Sequence, residues 1–380
     1  MDAPELFEAA GLYDPRDAGA AERLTLLRWL VERGVTVEQM MRAQREGLLT
    51  ALAADVELRP QPGLTLAQVA ARTGLPLAEI EGIRLAAGLP PIAPDEPVVS
   101  EDEERTFTAF GVAAGQFGEQ AVRRFTRVVG SSMARIAEAA VSLFLVSVEG
   151  PLREAEADEL TLAKANLRAM ENLKLVPTVL TGVFRAHLEV AMRRFRQARR
   201  WPSVDTAHLT VGFVDLVGYT TLSRRLTSRE LADVVDRFED TAHEVATARH
   251  GRVVKLIGDE VMFVTLEARA ACDIALTLVE HFCCDQSITP RGGLATGDIL
   301  VRGGDYYGPV VNLAARLAEL AVPRELLVTA EVAAEAGAPG LRFGPAGKRL
   351  LKGFDEPVAV FTVERTDQPS EPSPDVAAPR

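Results

Sequence analysis

Two aspartates of the sequence are well placed to bind metal ions. Asp215 lies within an otherwise apolar segment, residues 212–219, and Asp259 lies between two further apolar segments. A carboxylate in such a segment is costly unless a positive charge meets it. Carboxylates suit Mg²⁺ or Mn²⁺, and two such ions about 3.5–4 Å apart can activate one oxygen and stabilise another during phosphoryl displacement. The pair predicts a two-metal site, with the backbone amides near Gly218 close to phosphates.

Each aspartate taken singly has a simpler explanation. Asp259 follows a glycine and can be a turn residue, and Asp215 can cap the segment that follows it. The metal prediction therefore depends on the two occurring together.

A third group of polar residues lies in the segment 305–316. Pro309 suits the first position of a helix, and Asn312 and Arg316 are four residues apart, so they would share one face of that helix. The helix otherwise carries apolar residues, which gives it little reason to place Asn and Arg together unless an anion or polar ligand lies there. Arg316 alone is equally explained as a solvated arginine.

The elements that must position these residues follow Trp201. The pattern predicts, in order, a strand at 209–216, a helix at 229–250, strands at 253–257 and 261–265, a helix at 269–283, strands at 292–296 and 298–302, and a helix at 310–320. Gly258 and Asp259 form a tight turn between two of the strands. Strand-helix-strand-strand-helix-strand is the ferredoxin-like order. In that fold the first strand lies beside the hairpin, so Asp215 and Asp259 converge.

The sequence pattern of residues 1 to about 200 predicts helices almost throughout. Apolar residues recur every three or four positions, prolines cluster at 60–62 and 90–97, and an acidic helix start follows at 100–104. We therefore predict the α+β class: an all-α N-terminal region in two parts, a mixed α/β domain, and a disordered tail rich in Pro, Ser and Asp. The expected boundaries are 1–95, 96–200, 201–366 and 367–380.

Composition limits the compartment and the partners. The 380 residues carry a net charge of −12, which disfavours generic binding to nucleic acid or anionic membranes. Cys272, Cys283 and Cys284 form neither a disulfide framework nor a metal-ligand pattern, as expected in a reducing compartment. The acidic first residues do not resemble a signal peptide, and the most apolar stretch, 139–148, is too short to span a bilayer. We expect a cytoplasmic protein.

Several ordered motifs resemble the class III nucleotidyl cyclases, over roughly residues 205–365. They are the segments 213–220, 254–259, 291–297, 305–316, 351–353 and 358–361. The resemblance implies a ferredoxin-like catalytic domain and an adenylyl cyclase that converts ATP to 3′,5′-cyclic AMP and pyrophosphate.

The resemblance also implies roles for individual residues. Asp215 and Asp259 would bind two divalent ions, Mg²⁺ or Mn²⁺, and the backbone carbonyl of Leu216 is a weaker candidate ligand. Lys255 would donate to a ring nitrogen of adenine, and Asp305 would accept from its exocyclic amine. Guanylyl cyclases of this family typically carry Glu and Cys at those two positions, so ATP is the expected substrate.

The remaining roles concern the ribose and the phosphates. Asn312 would orient the ribose, Arg316 would neutralise charge on the α-phosphate in the transition state, and Lys352 is a weaker candidate for binding the triphosphate. In this family the metal-binding pair and the Asn and Arg come from opposite subunits. The resemblance therefore implies a twofold homodimer with two shared sites.

The N-terminal half resembles the helical regulatory domains of some actinobacterial cyclases. An amphipathic segment at 177–200 carries His187 on its apolar side, where an imidazole with an ordinary pKa of about 6.5 can act as a pH switch, or can simply be satisfied by a neighbour. The apolar stretch 141–148 is expected to be buried in a core or dimer interface, with a lipid pocket as the alternative. Regulation by pH or a small molecule is therefore expected through this half.

Three alternatives remain open. Residues 64–89 resemble a helix-turn-helix, but the second helix offers Glu79, Glu81 and only Arg84, so an ordinary helical corner and no nucleic-acid partner are expected. A diguanylate cyclase also places Gly-Asp-Glu on such a hairpin. The third alternative is a DNA-binding regulator whose cyclase-like domain only senses nucleotide.

Overall fold

The computed structural model describes residues 3–58, 63–197, 205–282, 289–337 and 339–366. The chain divides into two units, with the boundary between Val190 and Ala191. The finer division near residue 95 stays a prediction. Cys283, Cys284, Trp201 and the tail at 367–380 lie outside the described residues.

The first unit is helical, as predicted. Its helices are α1 Ala3–Ala9, α2 Ala20–Val31, α3 Val37–Glu46, α4 Leu52–Leu58, α5 Leu66–Thr73, α6 Leu77–Ala86, α7 Glu101–Phe117, α8 Glu119–Phe144, α9 Gly150–Glu154 and α10 Glu159–Leu173, with a π-helical turn, Leu145–Glu149, between α8 and α9. Helix α11, Val176–Gln197, begins in the first unit and ends in the second. Capping boxes start three of them, at Thr36, Thr65 and Ser100. In each, a hydroxyl and a Gln or Glu three residues later satisfy backbone amides that the helix leaves unpaired.

Two hydrophobic clusters hold the first unit. One joins α1 to α4 with α10, around Leu26, Leu30 and Met40. The other joins α5, α6 and α7, around Val69 and Ile80.

The helix-turn-helix candidate, α5 and α6, is part of the second cluster. Its one basic residue on the second helix, Arg84, is only 7% exposed and donates to Glu103 and to the carbonyl of Pro90. The arginine is therefore committed to the interior of the unit and presents no charge on the surface.

The apolar helices of the first unit differ from the prediction. Residues 141–148 are not buried within the chain: Leu143 is 68% and Val146 is 72% exposed. Two helical segments, Glu119–Glu154 and Glu159–Arg194, are long and apolar enough to cross a membrane by length and composition, although one or two such helices are weak indicators. The predicted stretch of ten residues therefore understated the apolar length.

The apolar side of α11 is uncovered in the same way. Val183, Phe184 and Leu188 are exposed, and so is His187. Within the single chain, the apolar side of α11 is therefore left uncovered. The cytoplasmic location stays a prediction.

The second unit is a mixed α/β domain. Its elements are β1 Thr206–Val217, α12 Tyr219–Ser223, α13 Ser228–Ala248, β2 Arg252–Ile257, β3 Glu260–Thr265, α14 Ala268–His281, β4 Thr289–Arg302, β5 Asp305–Tyr307, α15 Pro309–Leu320, β6 Leu326–Thr329, α16 Ala330–Ala336, β7 Leu341–Arg349 and β8 Val358–Arg365. The α+β class, with a helical region followed by this sheet domain, is confirmed.

The sheet order is β2-β3-β1-β4-β6-β8-β7, with β5 paired to β4. Its first four strands have the ferredoxin-like order, and β1 is antiparallel to both β3 and β4. One long strand, β4, replaces the two strands predicted on either side of Gly297. The reason is β1, which pairs with β4 without interruption from Thr206 to Val217.

Helices cover both faces of the sheet. Because strand side chains alternate, Val214 and Leu216 face α13, α14 and α16, whereas Phe213 faces α15. Gly293 lets α15 approach closely, since a Cβ there would lie 2.2 Å from the backbone nitrogen of Ala318. This contact positions the helix that carries Asn312 and Arg316.

Candidate active site

The end of β1 and the β2–β3 hairpin bring Asp215 and Asp259 together. Asp215 is in register with Glu260 on one side and with Arg291 on the other. The amide of Leu216 donates to the carbonyl of Asp259 at 3.1 Å. The tight turn places Asp259 at the hairpin tip, and the sheet pairing places it beside the last residues of β1.

The carboxylates of this region repel one another. Burial, and then the charge of Asp215, raises the pKa of Asp259. Burial raises the pKa of Glu260 to about 7, with the charges of Asp215, Glu319 and Asp259 adding to the effect. A concentration of acidic oxygens with raised pKa values is an environment that a cation would relieve.

Arg291 is the cation already present. Its Nε and Nη2 donate to one oxygen of Asp215 at 3.0 and 2.9 Å, and its Nη1 donates to the carbonyls of Glu319 and Ala321 at the end of α15. Arg291 and Glu260 were not predicted as site residues. The available signal was that Arg291 begins the segment 291–297 and that Glu260 directly follows Asp259. Their register with Asp215, however, depends on strand pairing.

The donor set fits divalent cations. Asp215 and Asp259 supply carboxylate oxygens of the kind that Mg²⁺ or Mn²⁺ prefers. The Leu216 side chain has no donor atom, so only its backbone carbonyl could contribute. Among the described residues, no group of three or more His, Cys, Asp or Glu side chains is arranged to hold a metal by itself. Substrate and water oxygens would have to complete the coordination of the ions.

A second contact joins Lys255 and Asp305. The Lys255 ammonium donates to both carboxylate oxygens of Asp305, at 3.0 and 3.2 Å. Burial raises the pKa of Asp305, but the hydrogen bonds from Lys255 and from the amide of Tyr306 outweigh this and leave that pKa lowered. The two predicted base-reading residues, from β2 and β5, therefore form one polar group.

The other predicted residues are not joined to this group. Arg316 is partly buried and pairs with Glu319 at 2.7 Å on its own helix, and Asn312 is exposed one turn earlier. Lys352 is exposed in the connection between β7 and β8. Within the described parts of the chain, no hydrogen bond or ion pair connects Asn312, Arg316 or Lys352 to Asp215 or Asp259.

Two family models cover almost the whole chain. Residues 5–193 match the adenylate cyclase regulatory domain, and residues 202–365 match the adenylate and guanylate cyclase catalytic domain.

Curated proteins are similar over long stretches. The chain is 34% identical over 378 residues to an uncharacterised protein of Mycobacterium tuberculosis, covering 99% of this chain and 97% of that protein. It is 34% identical over 278 residues to an adenylate cyclase of Glutamicibacter nicotianae, covering 69% of each. It is 28% identical over 370 residues to a pH-sensitive adenylate cyclase of Mycobacterium tuberculosis, covering 93% of this chain and 91% of that protein.

Proposed function

Since this chain belongs to the class III nucleotidyl cyclases, as an adenylate cyclase with an N-terminal regulatory domain, we propose that it converts ATP to 3′,5′-cyclic AMP and pyrophosphate by two-metal catalysis at sites shared between two subunits. The family membership sets aside the diguanylate cyclase alternative. ATP and a second copy of the chain are the proposed partners, and the cytoplasm is the proposed location.

The Lys255–Asp305 pair is the observation that carries the choice of substrate. It supplies one donor and one acceptor, the complement of the ring nitrogen and exocyclic amine of adenine. Both side chains are about one-third exposed, at 39% and 32%. Separating such an exposed pair costs little, because its net strength is only about 0–1 kcal/mol. Adenine can therefore replace the mutual contact with one hydrogen bond to each residue.

Asp215 and Asp259 would hold the metal ions. When bound, the ions supply a lowered pKa for the ribose 3′-hydroxyl and positive charge around the phosphates. Arg291 already neutralises part of the negative charge at Asp215. Its guanidinium can therefore reduce the repulsion within the acidic region before substrate arrives.

Asn312 and Arg316 would act from the second subunit. Among the described residues of one chain, neither forms a hydrogen bond or ion pair with Asp215 or Asp259. Because the reaction needs all of these groups around one ATP, we propose that the second subunit supplies them. Arg316 would leave its exposed partner Glu319 and stabilise charge on the α-phosphate. Lys352 remains a candidate for the triphosphate.

The N-terminal unit is proposed to restrain the catalytic domain. Helix α11 precedes β1 along the chain, so its arrangement can bias how two catalytic domains face each other. One similar protein is named for its pH sensitivity, which makes pH, or a small molecule, the proposed signal. A chain starting near Trp201 should exceed the full chain in activity at some pH value; equal or lower activity at every pH value would contradict restraint.

The function itself is tested with the purified full chain. ATP and GTP are each supplied with Mg²⁺ or Mn²⁺, and cyclic nucleotide and pyrophosphate are quantified. We expect cyclic AMP and pyrophosphate in equal amounts and little cyclic GMP. A chain that binds ATP but forms no cyclic AMP with either metal would overturn the proposal.

A further inference from the structure

A cavity of 360 Å³ lies at the end of the sheet away from Asp215. All of its lining residues belong to the second unit, from Ala191 onwards. Leu209 lines it, six residues before Asp215 on β1, so the strand separates the two places by about 20 Å. The cavity is therefore separate from the metal-binding region.

The floor of the cavity is apolar. Leu209, Val264 and Val301 contribute from three neighbouring strands, and Met192 contributes from the last turns of α11. A volume of this size suits a body of one or two rings, at the small end of ligand pockets, which span about 300–1,000 Å³. It is small for a lipid with two acyl chains.

Two arginines stand at the edge of this apolar floor. Arg194 is partly buried and donates to the carbonyl of Gly251 at 3.2 Å. Arg252, which follows Gly251 in the chain, donates to the carbonyl of Gly304 at 3.3 Å and lies over the ring of Tyr306. Within the described parts of the chain, neither arginine forms an ion pair with a carboxylate.

The two positive charges affect each other. Burial lowers the pKa of Arg194; the Tyr306 hydroxyl opposes this, and the charge of Arg252 lowers the pKa further. Two neighbouring guanidinium groups, one of them partly desolvated, favour binding of an anion between them.

The turn that ends helix α13 lies beside the cavity. His250, a further lining residue, has a φ of 58°. This left-handed conformation is one in which helices commonly end, and His250 follows the last turn of α13. The amide of Gly251 donates to the carbonyl of Ala246 at 2.8 Å, which holds the turn and keeps His250 at the cavity wall.

We propose that this cavity binds a small amphiphilic anion from solution, with its carboxylate on Arg194 and Arg252 and its apolar body against Leu209, Val264 and Val301. Arginine forks bind carboxylates with two parallel hydrogen bonds, which fixes the orientation of the ligand. An aromatic carboxylate fits best because Tyr306 and the apolar floor can contact its ring.

A ligand bound in the cavity would affect the strands that carry the base-reading residues Lys255 and Asp305. Arg252 precedes Lys255 by three residues on β2, and Tyr306 follows Asp305 on β5. A ligand on Arg252 and Tyr306 therefore contacts both strands that carry the polar pair. This consequence rests on the proposed function, whereas the binding itself does not.

The test is calorimetric titration of the full chain without nucleotide. The probe is 1-naphthoate, and the matched control ligand is the uncharged 1-naphthamide. A ligand of this size should bind with a Kd between about 0.05 and 1 mM, and the amide should bind at least about tenfold more weakly, because it lacks the charge that the arginines meet. Equal affinity for acid and amide, or no detectable binding of the acid, would overturn the proposal.

Variants locate the site. Arg194→Gln and Arg252→Gln should each weaken naphthoate binding by about tenfold or more, and Arg349→Gln, an exposed arginine of β7, should not. Arg252→Lys keeps the positive charge but loses the two parallel donors of the guanidinium, so we expect an intermediate loss of naphthoate affinity. This variant replaces Arg252→Gln in the test if circular dichroism shows that the glutamine variant does not fold. Unchanged binding in folded Arg194 and Arg252 variants would refute the assignment. Because no nucleotide is used, this result is independent of cyclase activity.

Discussion

Arg291 holds Asp215 from the neighbouring strand, with two hydrogen bonds of 2.9 and 3.0 Å to one carboxylate oxygen. The two residues are directly in register on β4 and β1, and they lie beside Asp259 and Glu260, whose pKa values are raised. The proposed metal site is therefore an acidic region with one built-in counter-ion.

Removing either proposed metal ligand should abolish catalysis and spare the fold. Asp215→Asn and Asp259→Asn keep the shape of the side chain and remove a charge, so turnover of ATP should fall by roughly two to three orders of magnitude or more. Asp355→Asn, at an exposed position, is the control. Near-normal turnover in either variant at saturating Mg²⁺ or Mn²⁺ would contradict the two-metal assignment.

Arg291→Gln should destabilise the protein in a metal-dependent way. Loss of the guanidinium leaves Asp215 partly buried and unpaired, at a cost of about 1–3 kcal/mol in the free energy of unfolding. A divalent ion would meet more negative charge in this variant, so Mg²⁺ should raise its melting temperature more than that of the wild type. Thermal melts of both proteins with and without Mg²⁺ measure this. If the variant and the wild type have the same melting temperature, both with and without Mg²⁺, Arg291 is not the counter-ion of the site.

Exchange of the base-reading pair should weaken ATP use. Lys255→Glu combined with Asp305→Cys removes the donor and acceptor pattern that fits adenine, so kcat/KM for ATP should fall by roughly a hundredfold or more. The lost ion pair is partly exposed and contributes little stability, so circular dichroism should show an intact fold. Lys348→Glu is a charge-matched control at an exposed position. A double variant that keeps the full preference for ATP over GTP would exclude these residues from base reading.

Two inactive chains should complement each other. Asp215→Ala and Asn312→Ala should each be nearly inactive, but a mixed dimer leaves one of its two shared sites intact. Random mixing makes about half the dimers mixed, so co-expression should restore roughly a quarter of wild-type activity. Differently tagged chains allow the mixed dimer to be purified. Absence of activity in that purified species would rule out the shared site.

His208 should stabilise the second unit more in acid than in base. Its two ring nitrogens lie 3.1 Å from Asp298 and 3.0 Å from Glu335. Burial lowers the pKa of His208, but the hydrogen bonds and charges of Glu335 and Asp298 outweigh this and raise it overall. The folded pKa then exceeds the unfolded value, so the stabilisation is complete below about pH 6.5 and is lost as pH rises through the folded pKa.

His208→Gln measures that contribution. The difference in free energy of unfolding between the wild type and this variant should be larger at about pH 6 than at about pH 8, as determined by urea denaturation. The control is His281→Gln, because His281 forms no ion pair among the described residues. A difference that is the same at both pH values would show that the histidine contributes no charge-dependent stability.

Local patterns of the sequence determined the parts of the site that lie close along the chain. Apolar runs located β1 and the β2–β3 hairpin, Gly258 and Asp259 marked its turn, and the four-residue spacing placed Asn312 and Arg316 on one helix face. These features depend on strand and helix periodicity, which a short segment specifies by itself.

Only the tertiary structure decided which distant residues meet. Arg291 contacts Asp215 across 76 residues, and Lys255 contacts Asp305 across 50, because the packing of the whole sheet sets the strand register. A shift of one residue would turn Arg291 to the opposite face, away from Asp215. The exposure of Leu143 and Val146 was missed for a related reason: an apolar pattern shows that a helix face needs a cover, but whether the same chain supplies it is decided by the fold.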